Sequence, residues 1–216
     1  MAELALKAGR GAAEAVQRVF GRPISMYAAA SRAFPLSVAF ATCYVKGSAS
    51  DIITQKWVEK KPKVDWRRNC GFATFSGAYA GCGQHFIYNV LFTRLFGPAL
   101  DFRTALKKVA ADGLVHVPLF NLPLFFMFED TFLDQGGPIA GLERYSREWL
   151  GVMKPYWSLW TFFHLANFRF TPPELRIGGV ACMSFIWMII LSNISHQSYE
   201  ESQKSDATGE AQPPHK

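Results

Sequence analysis

Paired cysteines are absent from the 216-residue sequence, and so is a secretory signal. The cysteines are far apart and form no CxxC pair, at Cys43, Cys70, Cys82 and Cys182. This spacing argues against a disulfide or a metal site and favours small, buried thiols. The N-terminal stretch has no long apolar region, which argues against entry into the secretory pathway. The Ser-Lys-Leu peroxisomal signal is also missing, although peroxisomal membrane proteins do not need it.

Motifs of soluble enzymes are missing as well. The segment Gly81-Cys82-Gly83-Gln84-His85-Phe86 fails the dinucleotide-binding pattern at its last position, and it lies within an apolar run rather than after a strand. No P-loop or HExxH motif is present, and Thr74 stands where a nucleophile elbow would need glycine. The sequence therefore predicts no enzyme, no catalytic residues and no cofactor.

The histidines do not predict a metal site. They lie on separate segments, at His85, His116, His164, His196 and His215. None has a set of carboxylate or thiol partners at the spacing that a bound metal would require. We interpret them as packed or interfacial side chains.

Hydrophobic residues make up half of the sequence and are concentrated in long runs. Residues 69–93 and 177–199 carry no charge, and residues 109–128 carry a single one, Asp112. About 20 helical residues cover a hydrocarbon core of roughly 30 Å, so each run is long enough to cross a bilayer. The sequence therefore predicts an all-α integral membrane helical bundle.

We predict four full spans plus a shorter fifth apolar helix. The full spans are 33–55, 69–93, 109–128 and 174–194, and the shorter helix lies near 149–168. Two prolines in the third span, Pro118 and Pro123, predict a kink, because proline removes a backbone hydrogen bond. We divide the chain into three parts. Residues 1–32 form a basic N-terminal segment, which we interpret as a targeting or interfacial helix, and residues 33–195 form the membrane domain. Residues 196–216 form a polar tail that is expected to be disordered.

Lysine and arginine exceed aspartate and glutamate by 23 to 17. The basic residues lie at the ends of the apolar runs, which fits phospholipid headgroups better than the basic face of a nucleic-acid-binding domain. We therefore expect a lipid bilayer as a partner and no nucleic acid. The basic residues are balanced between the two predicted sides, so the sequence predicts no orientation.

Several polar residues lie inside the predicted spans and are candidates for pore lining or for interhelical hydrogen bonds. They are Asp51, Gln55, Gln84, His85, Asp112, His116, His164 and Asn167. The pairs 51/55 and 112/116 are four residues apart, on one face of a helix. Such residues usually face a cavity or each other, and helix spacing does not decide between a pore and structural hydrogen bonding. Ala73, Gly77 and Gly81 also repeat every four residues and predict a close helix–helix contact.

The C-terminal half carries a recognisable signature. Residues 157–168 read Trp-Ser-Leu-Trp-Thr-Phe-Phe-His-Leu-Ala-Asn-Phe, and residues 50–55 read Ser-Asp-Ile-Ile-Thr-Gln. Together with Asp112 in the third span, these blocks resemble the family of the twenty-two-kilodalton peroxisomal membrane protein and its mitochondrial relatives, the Mpv-seventeen family. The family signature positions are Trp160, Asn167, Phe168, Pro172, Arg176 and Trp187. The sequence departs from the family pattern at Ser50, Gly113, Thr161 and His164.

The resemblance implies a small multi-pass protein of the mitochondrial inner membrane, with the peroxisomal membrane as the alternative. Family members are described as weakly selective channels, so it implies a channel or pore for small solutes that contributes to membrane permeability and metabolite homeostasis. The alternative is a non-transporting structural or adaptor protein. The expected partners are the bilayer, small solutes and a second copy of the chain in a homo-oligomer. Trp160 and Phe168 are interpreted as packing or interfacial residues.

Overall fold

The computed structural model describes residues 21–132, 136–185 and Trp187, and every regular element in these ranges is a helix. Helix α1 comprises residues 21–33. Helix α2 comprises Pro35–Ile53 and continues through a π-helical turn, Thr54–Val58. Helix α3 runs from Trp66 to Phe96, with α-helical ends, Trp66–Phe75 and Phe92–Phe96, and two π-helical stretches, Ser76–Gly83 and Phe86–Leu91.

The second half contains three further helices. Helix α4 comprises Phe102–Ala111, a π-helical stretch Asp112–Asn121, and Leu122–Phe132. Helix α5 comprises Gly137–Phe170, and helix α6 comprises residues 173–185. The π-helical stretch of α4 contains Pro118, so this helix is irregular where proline removes a backbone donor.

Local sequence accounts for several helix ends. The side chain of Asp65 accepts a hydrogen bond from the backbone N–H of Arg68 and caps α3. Asp101 caps α4 in the same way, through the N–H groups of Arg103 and Thr104. An N-cap carboxylate satisfies backbone donors that have no partner within the helix. Gly97 ends α3 with φ at 90°, a conformation that glycine adopts without steric cost.

Helices α2 to α6 run antiparallel to their neighbours in the chain. The turns are short, so the C-terminal end of each helix lies beside the N-terminal end of the next. Helices α2 and α3 approach each other closely at Gly77 and Gly81. A Cβ atom at Gly81 would lie 2.5 Å from the carbonyl oxygen of Ala39, and one at Gly77 would lie 2.8 Å from the ring of Phe40. Ala73, on the same face, is fully buried.

Helix α1 folds back onto the bundle rather than forming a separate unit. The hydroxyl of Tyr27 hydrogen-bonds with that of Thr42 at 3.0 Å, and Arg32 forms an ion pair with Glu174 at the start of α6. The described part of the segment 1–32 is thus packed against the membrane domain. The rest of that segment and the tail 196–216 lie outside the described residues.

The interior is unusually polar and the exterior unusually apolar. Buried side chains include Asp51, Arg68, Asp112 and Arg176, while large hydrophobic residues on helices α1 to α5 are exposed. Water-soluble proteins show the opposite distribution, so the pattern indicates a lipid-facing surface. Within the described residues, one helix, Phe102–Phe132, is long and apolar enough to cross a membrane by length and composition. The number of spans therefore stays a prediction.

Helix α5 differs from the sequence-based expectation. The apolar stretch near 149–168 is not a short helix, because it is the C-terminal half of a 34-residue helix that begins at Gly137. At about 1.5 Å per residue this helix is roughly 51 Å long. The charged segment before Trp149 continues the helix, and Arg144 binds the acids at the end of α4. The predicted last span, 174–194, lies partly beyond the described residues.

Candidate solute path

A cavity of about 370 Å³ lies between five helices. Its wall is formed by side chains of α2, α3, α4, α5 and α6, so it lies within a single chain. Hydroxyl, amide and charged groups alternate there with aromatic rings. The residues that line the cavity include Lys46, Ser50, Asp51, Thr54, Arg68, Ser76, Tyr79, Gln84, Tyr88, Glu129, Tyr156, Trp160 and His164. A wall of this kind accommodates small polar molecules.

One end of the cavity is charged. Asp51 of α2 and Arg68 of α3 form an ion pair of 2.8 Å, and both side chains are buried. Arg68 also binds Glu59 at 2.8 Å, so a single guanidinium joins the end of α2 to the start of α3. Asn69 donates a further hydrogen bond to Asp51. The carboxylate of Asp51 is thereby compensated, as a buried charge must be.

Gln55 belongs to this end but faces the turn between the helices. Its amide nitrogen donates to Asp51 at 2.7 Å, and its amide oxygen accepts a hydrogen bond from the backbone N–H of Asp65. The side chain is fully buried and does not line the cavity. Gln55 therefore fixes the α2–α3 turn relative to the ion pair.

Glu59 lies in the same turn, outside the helical spans. Burial alone would raise the pKa of its carboxyl group, but hydrogen bonds from Arg68 and Lys61 outweigh that effect and hold the pKa below its usual value. The ion pair with Arg68 is therefore present at neutral pH. It weakens as the pH falls through that lowered pKa.

A second polar cluster surrounds Asp112 on α4. His116 lies 2.7 Å from one carboxylate oxygen, Tyr156 donates a hydrogen bond of 2.9 Å to the other, and His164 lies 3.6 Å away. Tyr79 hydrogen-bonds with the far nitrogen of His116 at 3.0 Å. Three helices are joined in this cluster, because Asp112 of α4 binds α5 and its partner His116 binds α3.

Asp112 and His116 lie behind the cavity wall rather than in it. The residues of the cluster that line the cavity are Tyr79, Tyr156 and His164. His164 is stacked between the rings of Trp160 and Phe168, with centroids 5.4 and 5.7 Å away. At this end, Tyr88 of the cavity wall packs against the aromatic core that contains Phe92 and Phe168.

Apart from the two atoms that face each other in the Asp51–Arg68 ion pair, three buried polar atoms of the cavity wall have no hydrogen-bond partner within the described residues. They are Oγ of Ser76, Oε1 of Gln84 and Nδ1 of His164. Buried polar groups are nearly always hydrogen-bonded, and an unpaired one costs about 1–3 kcal/mol. The wall is therefore suited to water or to a polar solute.

The other predicted site residues lie away from the cavity. His85 hydrogen-bonds with Asn89 at 3.2 Å and faces the groove between α1 and α2. Asn167 is buried at the turn between α5 and α6, where it donates to the carbonyl of Arg176. The sequence predicts that both residues lie in membrane spans, but it does not predict which face of its helix each residue occupies.

The remaining signature positions form the turn and the core near it. Pro172 precedes α6, and the buried Arg176 donates to Thr171 and Asn89. The guanidinium lies 5.7 Å from the ring centroid of Phe168, which is buried in the aromatic core. Trp160 belongs to the same core, and Trp187 is packed against it.

Sequence reasoning missed several charged partners. The pairing of Arg68 with Asp51 was not predicted, and neither was the trio of Glu129, Asp130 and Arg144 at the α4–α5 turn. The position of Asp51 within a predicted span could have indicated that a cation pairs with it, because an uncompensated acid in a membrane is costly. No sequence signal marked the tyrosines that bind Asp112 and His116.

Within the described ranges, no group of three or more potential ligands could hold a metal ion.

Comparison with known proteins gives consistent results. The model of the Mpv17 / PMP22 family matches residues 132–192. The chain is 29% identical over 143 residues to PXMP2/4 family protein 3 of Dictyostelium discoideum, covering 66% of this chain and 74% of that protein. It is 25% identical over 169 residues to protein SYM1 of Debaryomyces hansenii, covering 74% and 81%.

A third relative extends the match. Protein sym-1 of Neurospora crassa is 24% identical over 179 residues, which cover 81% of this chain and 99% of the relative. No solved structure matches the chain. The resemblance predicted from the sequence is thus confirmed across most of the described bundle.

Proposed function

We propose that this member of the Mpv17 / PMP22 family is a weakly selective channel for small solutes in a mitochondrial or peroxisomal membrane. The observation that carries the proposal is the cavity between five helices of one chain, in which polar groups interrupt an aromatic wall, with a charged end and a buried histidine at the other. Because the cavity lies within one chain, the path does not require a second copy. Neither a catalytic step nor a cofactor is part of the proposal.

The solute enters at the charged end, beside Asp51 and Arg68. It exchanges its hydration for hydroxyl and amide groups of the wall, including the unpaired Ser76 and Gln84. Passage beyond His164 requires the aromatic rings of the closed end to rotate, since Tyr88 and Phe168 are packed there at 5.2 Å between centroids. The closed end therefore acts as the gate.

Substitution of Asp112 by Asn tests the path. The change keeps the shape of the side chain but removes the negative charge behind His164 and Tyr156. Because that charge is the strongest electrostatic feature near the gate, we expect a change in the ratio of cation to anion permeability of about two-fold or more. Single-channel recording of purified protein in planar bilayers measures it. Absence of conductance from folded wild-type protein would overturn the proposal.

A structural or adaptor protein is the second candidate, and the interhelical bonding favours it. Asp112 and His116 together join three helices, and Arg68 joins two. For a scaffold, Asp112→Asn lowers stability or assembly and leaves solute permeability unchanged. Measurement of conductance and thermal stability on the same preparation separates the two candidates.

The mitochondrial inner membrane is the compartment we propose, on the basis of the basic N-terminal segment. Residues 21–32 contact the bundle, through Tyr27 and Arg32, so a test should remove only residues 1–20. We expect the full chain with a C-terminal tag to colocalise with a mitochondrial marker, and the truncated chain to lose that pattern. Colocalisation of the full chain with a peroxisomal marker would contradict the assignment.

A further inference from the structure

We propose that the cavity binds the anionic oxygen group of a small solute, a carboxylate or a phosphate, at Lys46. The inference deepens the proposed function, on which it rests, by assigning a substrate class to the same cavity. Lys46 lies in the interior of α2, 11 residues after Pro35 and 12 before Val58. Lys46 lines the cavity and is partly buried.

Lys46 lacks a compensating acid. In the described part of the chain its ammonium group makes no ion pair and no hydrogen bond. A cation within a membrane span usually has a partner, because desolvation of an unpaired charge is costly. A solute that brings a negative charge to Lys46 would remove this cost.

The other charges of the cavity wall already have partners. Asp51 is bound by Arg68, and Glu129 is bound by Arg144, which it shares with Asp130. The α4 wall therefore keeps a surplus of negative charge, and the α2 wall carries the free cation. An anionic group is directed to the α2 wall, while Glu129 disfavours a second negative charge on the same solute.

Hydroxyl and amide groups surround this position. Ser50 and Thr54 follow Lys46 at four-residue intervals, so all three lie along one stripe of α2, and all three line the cavity. Across the cavity on α3, Oε1 of Gln84 is an acceptor without a partner. The arrangement fits a small solute with one oxyanion and at least one hydroxyl donor, the chemistry of a hydroxycarboxylate or a simple phosphate ester.

Calorimetric titration of the full-length protein in nanodiscs tests the inference without any transport step. The ligands are lactate and inorganic phosphate, with glycerol as a neutral control of similar size. The variants are Lys46→Met, which keeps the length of the side chain, and Lys46→Arg, which keeps the charge. Circular dichroism shows that each variant is folded.

We expect lactate or phosphate to bind the wild type and Lys46→Arg, and glycerol to bind at least about tenfold more weakly. Lys46→Met should reduce anion affinity by about tenfold or more. If lactate binds more tightly than phosphate, the preferred anionic group is a carboxylate, and if phosphate binds more tightly, it is a phosphate. Equal binding of glycerol and lactate, or unchanged binding by folded Lys46→Met, overturns the inference.

The outcome also separates this inference from the channel. Lactate binding that depends on Lys46, in a protein without conductance, supports the anion site and overturns the channel. Conductance in a protein whose anion affinity is unaffected by Lys46→Met supports the channel and overturns the anion site.

Discussion

Replacement of Arg68 by Met lowers the free energy of unfolding by about 3–5 kcal/mol, the cost of breaking a buried ion pair from one side. The methionine chain fills most of the space of the arginine stem but leaves Asp51 without a cation in a buried site. Asp51 has 3% of its side chain exposed and Arg68 has 7%, so water does not replace the lost partner. Unfolding in mixed micelles, followed by circular dichroism, measures the change.

The neighbouring Arg67 provides a matched control. It is exposed and precedes Arg68 on the same helix, so Arg67→Met should change stability by less than about 0.5 kcal/mol. The double variant Asp51→Asn/Arg68→Met should recover part of the loss, because it removes both charges. Equal effects of the two arginine substitutions would show that the ion pair does not stabilise the bundle.

Substitution of Gly81 by Ala is expected to loosen the contact between α2 and α3. The added Cβ would lie 2.5 Å from the carbonyl oxygen of Ala39 and 2.8 Å from its carbonyl carbon, so two backbones would have to separate. Overpacking of this kind costs about 1–3 kcal/mol. Because α2 and α3 both line the cavity, the helix shift should also reduce conductance.

Gly83→Ala is the control for this prediction. It makes the same chemical change two residues further along α3, where the nearest atom to a Cβ is 3.6 Å away, on the ring of Tyr79. Alanine is a better helix former than glycine, so Gly83→Ala should be neutral or stabilise by up to about 1 kcal/mol. A stability of Gly81→Ala equal to that of Gly83→Ala would contradict the close contact.

The sequence was sufficient for those features that depend on periodicity along one helix. The neighbours 51/55 and 112/116 share a face and are bonded to each other, as a four-residue spacing requires. The all-helical class follows from the long apolar runs and is confirmed for the described residues. The signature residues predicted the resemblance to the Mpv17 / PMP22 family, whose model matches residues 132–192.

Contacts between helices were not predictable in the same way. The pairing of Asp51 with Arg68 and of Asp112 with Tyr156 depends on the rotation and depth of separate helices, which one sequence does not specify. His85 illustrates the point, since it follows Gln84 directly yet faces a different groove. Neighbours in sequence on a helix point about 100° apart, so their side chains can face different grooves.

The length of α5 could have been recognised from local signals. Pro138 stands in the first turn of the helix, a position that proline favours. Glu143 with Arg147, and Arg144 with Glu148, have the four-residue spacing of charge pairs on an exposed helix. Because this segment is polar, apolar runs alone do not predict the first half of the helix.

The packing of Tyr88, Phe92 and Phe168 at one end of the proposed path makes the two faces of the membrane inequivalent. A polar molecule too bulky to pass would lodge beside Asp51 when added from one compartment and would find packed rings when added from the other. Such a molecule should therefore inhibit the current from one side of the membrane only. When all copies of the protein are inserted in one direction, the current should rectify in its presence.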